Sequence, residues 1–286
     1  MLTGRTGQKR WMSVIAVVLF SLVFAVPAAI AAPQAELWAR WEAHDPDSSA
    51  QVDHSAWGAF MDAYLITDHP TGVSRVDYAA VTSTDRAALD QYVGRLEETP
   101  VSSLNRDEQL AYWLNLYNAA TVQLILDNYP VDSIRDIRPG VFASGPWDMK
   151  LLEVEGEAMS LNDVEHRVIR PIWRDQRIHY AVNCASYGCP DLYPEPLTAE
   201  NWNRVFDEAA RTYAGHPRGV RFEGDRLILS SIYDWYVTDF GETFGEGDLQ
   251  GVIDHLIQYV DADTANRLRN HSGRVSYEYD WSLNEP

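Results

Sequence analysis

The sequence predicts an α+β fold: a predominantly helical single domain over residues 32–286, carrying a small, mostly antiparallel sheet. Three observations predict it. Apolar residues recur at helical spacing in segment after segment. Runs of β-branched or aromatic residues are short, few and scattered. No regular strand–helix alternation runs along the chain, which argues against a doubly wound sheet.

The first 31 residues stand apart. Arg5, Lys9 and Arg10 precede an apolar run from Val14 to Val26, and Ala29-Ile30-Ala31 follows as an A-x-A pattern. That order is a secretory signal peptide, and the apolar run falls short of the roughly 20 residues that span a bilayer. The expectation is cleavage after Ala31, export to the periplasm or the medium, and no stable membrane insertion afterwards.

Each later element has its own signal. Trp38 and Trp41 suggest a short helix from Glu36 to Glu42. Asp45-Pro46-Asp47-Ser48-Ser49 with Val52 and Asp53 superficially resembles a calcium loop. Ala50 stands where the turn needs Gly and Ala56 where a bidentate Glu belongs, so it reads as a polar linker. Trp57, Phe60, Met61, Tyr64 and Leu65 form a helical core stripe, and Val76-Asp77-Tyr78 reads as extended. A helix from Asp85 to Leu96 is stopped by Pro100. The strongest helix runs from Leu104 to Tyr129, with Asn105 as N-cap, Glu108 at the capping-box position and Pro130 closing the far end.

Gly140, Gly145 and Pro146 punctuate a loop, Lys150 to Val154 reads as a strand, and Ser160 caps a helix to about Ile169. Ile178 to Asn183 alternates like a strand, and a Ser-, Gly- and Pro-rich loop runs from Cys184 to Pro196. Trp202 to Tyr213 is helical. Gly219–Phe222 and Leu227–Leu229 bracket Glu223-Gly224-Asp225, a hairpin signal. Helices return at Ser231–Val237 and Leu249–Val260, and Val275–Tyr279 is extended.

The formal net charge is −19. Nucleic-acid affinity rests on Lys and Arg neutralising phosphates, so nucleic acid is set aside as a partner. Only two cysteines occur, Cys184 and Cys189, too few for a stapled mini-scaffold, so a hydrophobic core must hold the fold.

Three segments carry polar residues that packing does not require. On the long helix, Asn115 and Asn118 lie three apart and share a face. They either orient a catalytic group or substrate, or tie the helix to a neighbouring loop. In Leu161–Arg170, Glu165 and His166 are adjacent and point in different directions on a helix. His166 is either a proton carrier or a helix-surface histidine with charged neighbours. In the strand reading, His179, Ala181 and Asn183 share a face and Cys184 sits where strand becomes loop. Cys184 is open to three readings: a disulfide with Cys189, a nucleophile near a histidine, or a zinc ligand with His179 and Cys189. A redox pair is a further reading, without the C-x-x-C spacing of thioredoxin-like motifs.

With those residues in view, the chain resembles the DUF547 family. The matching stretches are Leu110–Ala119, Ser160–His166 with Arg170-Pro171, and His179–Ser186 with Gly188-Cys189-Pro190, then Ser230–Tyr236 with Asp239-Phe240-Gly241, and Tyr279–Asn284. The resemblance runs in order from about Val52 to Asn284. It implies one domain whose motifs are the three polar segments, gathered at a shared cleft. No settled activity, substrate or cofactor comes with it.

The expectation is an exported, thiol-dependent hydrolase or acyl transferase acting on a small peptide-like substrate, without metal or cofactor. Cys184 is the nucleophile, His179 or His166 the base, and Asn118, Asn115 and Glu165 orient the base or donate to an oxyanion. The alternative is a non-enzymatic small-molecule or peptide binding module in which a Cys184–Cys189 disulfide holds a pocket wall.

Overall fold

Three helices build the first layer: α1, Ser55–Tyr64; α2, Ser83–Glu97; and α3, Arg106–Asn128. A computed structural model describes residue 1, residues 32–140, residue 143 and residues 145–286. The expected signal peptide, Met1 apart, lies outside the described residues. Ala31–Pro286 forms one unit. Among the described residues no helix is long and apolar enough to cross a membrane.

Helix α3 is buried on nearly every side from Glu108 to Leu126. Asn105 caps it, its Oδ1 accepting from the Glu108 N–H at 3.0 Å. Trp113 packs edge-on against Trp41 and Tyr112, with centroids 5.1 and 5.0 Å away. Burying side chains of this size contributes about 1.5–3 kcal/mol each. A helix enclosed all round cannot send its polar residues to water, so each must find a partner. Glu108 Oε1 accepts from Val52 N at 2.6 Å, and Gln109 donates to the carbonyls of Ala43 and Val101. Helix α2 starts at a Thr82 cap whose hydroxyl accepts from Asp85 N. A two-residue ladder, β1 Leu65–Ile66 against β2 Arg75–Val76, runs antiparallel beside these helices. The Asp45–Asp53 stretch is irregular, and Asp45 spends a carboxylate oxygen on the Asp47 N–H.

The expected strand near Leu152 is one arm of a hairpin whose other arm the pattern did not suggest. Strand β3, Leu152–Val154, pairs antiparallel with β4, Glu157–Met159. Glu155 and Gly156 turn the chain with φ of 47° and 78°, the left-handed pair that a two-residue hairpin requires.

Ser160 caps the next helix as expected: its Oγ accepts from Asp163 N, and its N–H donates to Asp163 Oδ2 at 2.8 Å. The helix is not regular. Asp163–Ile169 is π-helical and runs directly into α4, Arg170–Trp173. The Arg170 N–H reaches five residues back to Glu165 O. Pro171 has no N–H to give, and two carbonyls left free there accept from outside the helix. Glu36 N donates to His166 O at 3.0 Å and Trp38 N to Arg167 O at 2.9 Å. The widened turn buries Glu165 and His166 together, so His166 is not the surface histidine its neighbours suggested.

The expected strand Ile178–Asn183 is not formed. Gln176–Tyr180 is a 3₁₀ helix capped by Asp175, and irregular chain follows. The β-branched and aromatic pattern met no neighbouring strand, and a side chain of α3 takes the backbone groups instead.

Helix α5, Trp202–Gly215, covers a three-stranded sheet of order β5, Val220–Glu223, β6, Arg226–Ser230, and β7, Val275–Glu278. The β5–β6 hairpin is antiparallel as expected, while β7 lies parallel to β6. Three helices close the far side: α6, Ile232–Trp235, α7, Leu249–Leu256, and α8, Ala262–Arg269. Tyr213, Leu229, Tyr233, Phe240 and Leu256 form the core here, separate from the one around α3. Helix α7 stops short of the expected Val260, and α8 had no expectation; Asp261 begins it by accepting from the Asp263 and Thr264 N–H groups.

Three histidines sit inside this packing as neutral rings. His54 pairs with Tyr92 OH at 2.6 Å and His255 with Tyr180 OH at 2.9 Å, while His166 accepts from Arg170. Burial lowers each from 6.5 to about 4. A lowered folded pKa means the unfolded chain takes up protons that the folded chain refuses. Their contribution is complete above pH 6.5 and is lost as pH falls toward about 4. The urea midpoint is expected to drop steadily across that window; a midpoint flat between those limits would contradict this account.

Candidate functional site

The loop after Asn183 is built by amides. From α3, Asn118 Nδ2 donates to Ala181 O and its Oδ1 accepts from Asn183 N, both at 2.9 Å. One turn earlier, Asn115 Nδ2 donates to Leu197 O at 2.8 Å and its Oδ1 accepts from Leu197 N at 3.1 Å. Both side chains therefore tie the helix to loops. Asn183 continues the scheme, accepting from Ala185 N at 2.8 Å and donating to Pro190 O at 2.7 Å.

The other wall comes from residues 279–284. Tyr187 N donates to Ser282 O, Gly188 N to Asp280 O, and Asn284 N to Ala185 O. Gly188 is required, because a Cβ there would stand 2.8 Å from Asp280 N and 2.9 Å from Asp280 O. Ala185 has φ of 56°, a left-handed conformation uncommon outside glycine. It is held on both sides by the Asn183 and Asn284 contacts.

Cys184 sits at the centre of this frame, half-buried. Its Sγ lies 2.9 Å from Cys189 Sγ, 3.1 Å from Tyr279 OH and 3.2 Å from Ser186 Oγ. The disulfide expected from the sequence is not formed: both cysteines are free, and their sulfurs stand well beyond the bond length of about 2.05 Å. The hydrogen bond from Cys189 lowers the Cys184 thiol against the opposing effect of burial, and Ser186 and Tyr279 add to it. Burial pushes the Cys189 thiol up. It likewise keeps the Tyr279 hydroxyl protonated. Cys184 is thus the sulfur readier to ionise. Among the described residues no group of three or more His, Cys, Asp or Glu side chains could hold a metal ion.

Behind the loop lies a buried charge network. Arg170 clasps Asp239 with Nε to Oδ2 at 2.8 Å and Nη2 to Oδ1 at 3.1 Å, both side chains almost wholly enclosed. His179 Nε2 meets the same Asp239 Oδ2 at 2.8 Å, and the Tyr236 ring stacks on the imidazole at 4.1 Å. His179 Nδ1 has no hydrogen-bond partner among the described residues. Arg170 Nη1 donates to His166 Nδ1 at 2.8 Å, which places the His166 proton on Nε2. Tyr117 OH from α3 donates to Glu165 Oε2 at 3.2 Å. Burial works against the Glu165 carboxylate, but His166, Arg170 and His179 around it outweigh that and hold it below its usual range. Asp239 is held down in the same way by His179 and Arg170.

The three sequence segments therefore do meet, but in two tiers. Asn118 touches the backbone on either side of Val182, and Glu165 lies close enough to raise the Cys184 thiol through its charge. No hydrogen bond joins Cys184 to His179 or His166; both rings are bonded to Asp239 and Arg170 instead. Sequence reasoning did not single out Ser186, Tyr279, Asp239 or Arg170 as site groups. All four fall within the stretches quoted for the family resemblance, though spacing alone gave none of them a role.

A groove of about 530 Å³ is lined by Tyr187, Gly188, His216, Arg218, Tyr279 and Trp281, and reaches the thiol only through Tyr279. Tyr279 belongs to both: its ring lines the groove and its hydroxyl touches Cys184 Sγ.

Two substitutions test this architecture. Asp239→Asn leaves the buried Arg170 without its counter-charge and is expected to cost roughly 3–5 kcal/mol, read from urea unfolding. Asn118→Ala strands the Asn183 N–H and the Ala181 carbonyl and is expected to cost about 2–4 kcal/mol. A loss below 1 kcal/mol in either would show that the neighbours relax around the gap.

The family model DUF547, described as a protein of unknown function, matches residues 101–214. That span holds α3, the π-helical stretch and the Cys184 loop, and stops before Asp239 and the 279–284 segment. No curated protein and no solved structure matches the chain. Over residues 101–214 the chain is similar to DUF547, a family whose function is unknown.

Proposed function

We propose that the chain is a thiol-dependent hydrolase or acyl transferase acting on a small peptide-like substrate, with Cys184 as nucleophile. One observation carries the reading. Cys184 is only partly buried, and its sulfur is surrounded by two hydroxyls and a second thiol and is readier to ionise than an ordinary cysteine. A thiolate held by such donors attacks without a histidine in contact. The groove at Tyr279 gives a substrate room beside it.

In this reading the sulfur adds to the substrate carbonyl, and the C–N or C–O bond breaks as the leaving group takes the Tyr279 proton. Water then adds to the thioester and returns a proton to Tyr279. The C–S bond breaks, and the thiolate is restored as the acid departs. In a transferase another nucleophile replaces the water. Glu165, Arg170, Asp239 and His179 are positioning residues, fixing the frame behind the loop. The leader pattern of residues 1–31 supports export, and the groove's mixed aromatic and polar lining suits a peptide-like ligand.

Alkylation by iodoacetamide against pH reads the thiol directly. The midpoint for Cys184 is expected below the ordinary thiol value of 9.0, and Tyr279→Phe is expected to raise it by removing a donor to the thiolate. In a screen of esters, thioesters and short peptides, Cys184→Ala is expected to abolish turnover while melting close to wild type. Tyr279→Phe is expected to lower kcat about a hundredfold, with little change in KM. A folded, fully active Cys184→Ala protein would sink the reading.

A further inference from the structure

The hydrolytic reading makes Cys184 the nucleophile and uses Cys189 only as a hydrogen-bond donor to it. Cys189 is buried, its Sγ 2.9 Å from Cys184 Sγ and 3.7 Å from Val182 O. The loop between them is folded to keep the pair together. Cys184 N–H donates to Cys189 Sγ at 2.9 Å, and Cys189 N–H donates to Ser186 O at 3.1 Å. Asn183 bridges the loop's two ends through Ala185 N and Pro190 O. A structural thiol needs no such neighbour, and the donor that a nucleophile gains need not be a second sulfur. The two differ in access: Cys184 is only partly buried, and Cys189 is buried. That is the division of labour that thiol–disulfide exchange needs, an outer sulfur that attacks and an inner one that resolves.

We propose that Cys184 and Cys189 form a dithiol that exchanges with small disulfides and closes to a Cys184–Cys189 disulfide. In the first step the Cys184 thiolate attacks one sulfur of the small disulfide. A mixed disulfide forms, and one small thiolate leaves and takes a proton. In the second, Cys189 gives up its proton and attacks the Cys184 sulfur, expelling the other small thiol. The protein dithiol is oxidised by two electrons and the small disulfide is reduced to two thiols. Closing the pair moves the sulfurs from 2.9 Å to about 2.05 Å, a shift the six-residue loop can absorb. The closed form holds no free sulfur at residue 184, so exchange also switches off any acyl chemistry there.

Oxidised glutathione is the probe. The reduced full-length chain is incubated with it under argon, quenched in acid, alkylated under denaturing conditions and weighed intact. The wild type is expected to lose both alkylatable thiols, release two glutathione molecules per chain and retain no adduct; dithiothreitol restores both thiols. Cys189→Ser is expected to stop at a single retained glutathione, and Cys184→Ser to take up none. A wild-type chain that keeps a glutathione adduct, or keeps both thiols alkylatable, overturns the proposal. That arm needs no substitution, so a misfolded variant cannot rescue it. Ester turnover measured on the same samples separates the two ideas. If the wild type turns over esters but fails to close, only the dithiol falls. If Cys184→Ser hydrolyses like wild type while the wild type closes, only the hydrolase reading falls.

Discussion

The structure depends on one constraint: α3 is enclosed on nearly every side and yet carries amides, a carboxylate and hydroxyls that must all be satisfied. Glu108, Asn115 and Asn118 solve the problem by reaching for the backbone of segments that have no regular structure of their own, while Tyr112 and Tyr117 donate to Leu96 on α2 and Glu165 on the π-helical stretch. Glu108 and Gln109 hold the stretch around Ala43 and Val52, Asn115 holds Leu197, and Asn118 holds the chain on either side of Val182. An unpaired buried amide costs about 1–3 kcal/mol, so the loops are ordered by the same penalty that would otherwise exclude these residues from a core. The Cys184 loop inherits its placement from that arrangement.

The second tier solves a different problem. Arg170 keeps its charge inside the protein, and Asp239 meets it with two hydrogen bonds while also receiving His179. A buried ion pair adds little net stability, because removing both charges from water costs about as much as their attraction returns. What it fixes is position. Through Arg170 the π-helical stretch, the 3₁₀ helix bearing His179 and the segment ending at Asp239 are locked in one register.

The helical elements were legible because their signals are local. Asn105, Ser160 and the Trp57–Tyr64 stripe announce caps and faces within a few residues, and the β5–β6 hairpin is marked by Gly224. The strand expected at Ile178–Asn183 failed because strand character needs a neighbour, and no local pattern shows that Asn118 takes the neighbour's place. The same reason hid the parallel pairing of β7. In the site, Cys184, Asn118 and Glu165 were visible as residue types that packing does not need. The loop tie was one of the two readings open for Asn115 and Asn118 and is the one their hydrogen bonds make, whereas nothing in the sequence showed that Cys184 hydrogen-bonds to Tyr279 rather than to a histidine. Tyr279 and Asp239 lie far along the chain, and proximity across that separation is written only in the fold.

The contacts of residues 279–284 with the Cys184 loop also set an order of events during synthesis. Tyr279 supplies a donor to the sulfur, and Ser282, Asp280 and Asn284 supply the backbone partners that hold Ala185, Tyr187 and Gly188. Until that segment has left the ribosome, the loop lacks one wall and the thiol lacks one donor. A chain grown only as far as residue 278 therefore carries two cysteines without the frame that later surrounds them.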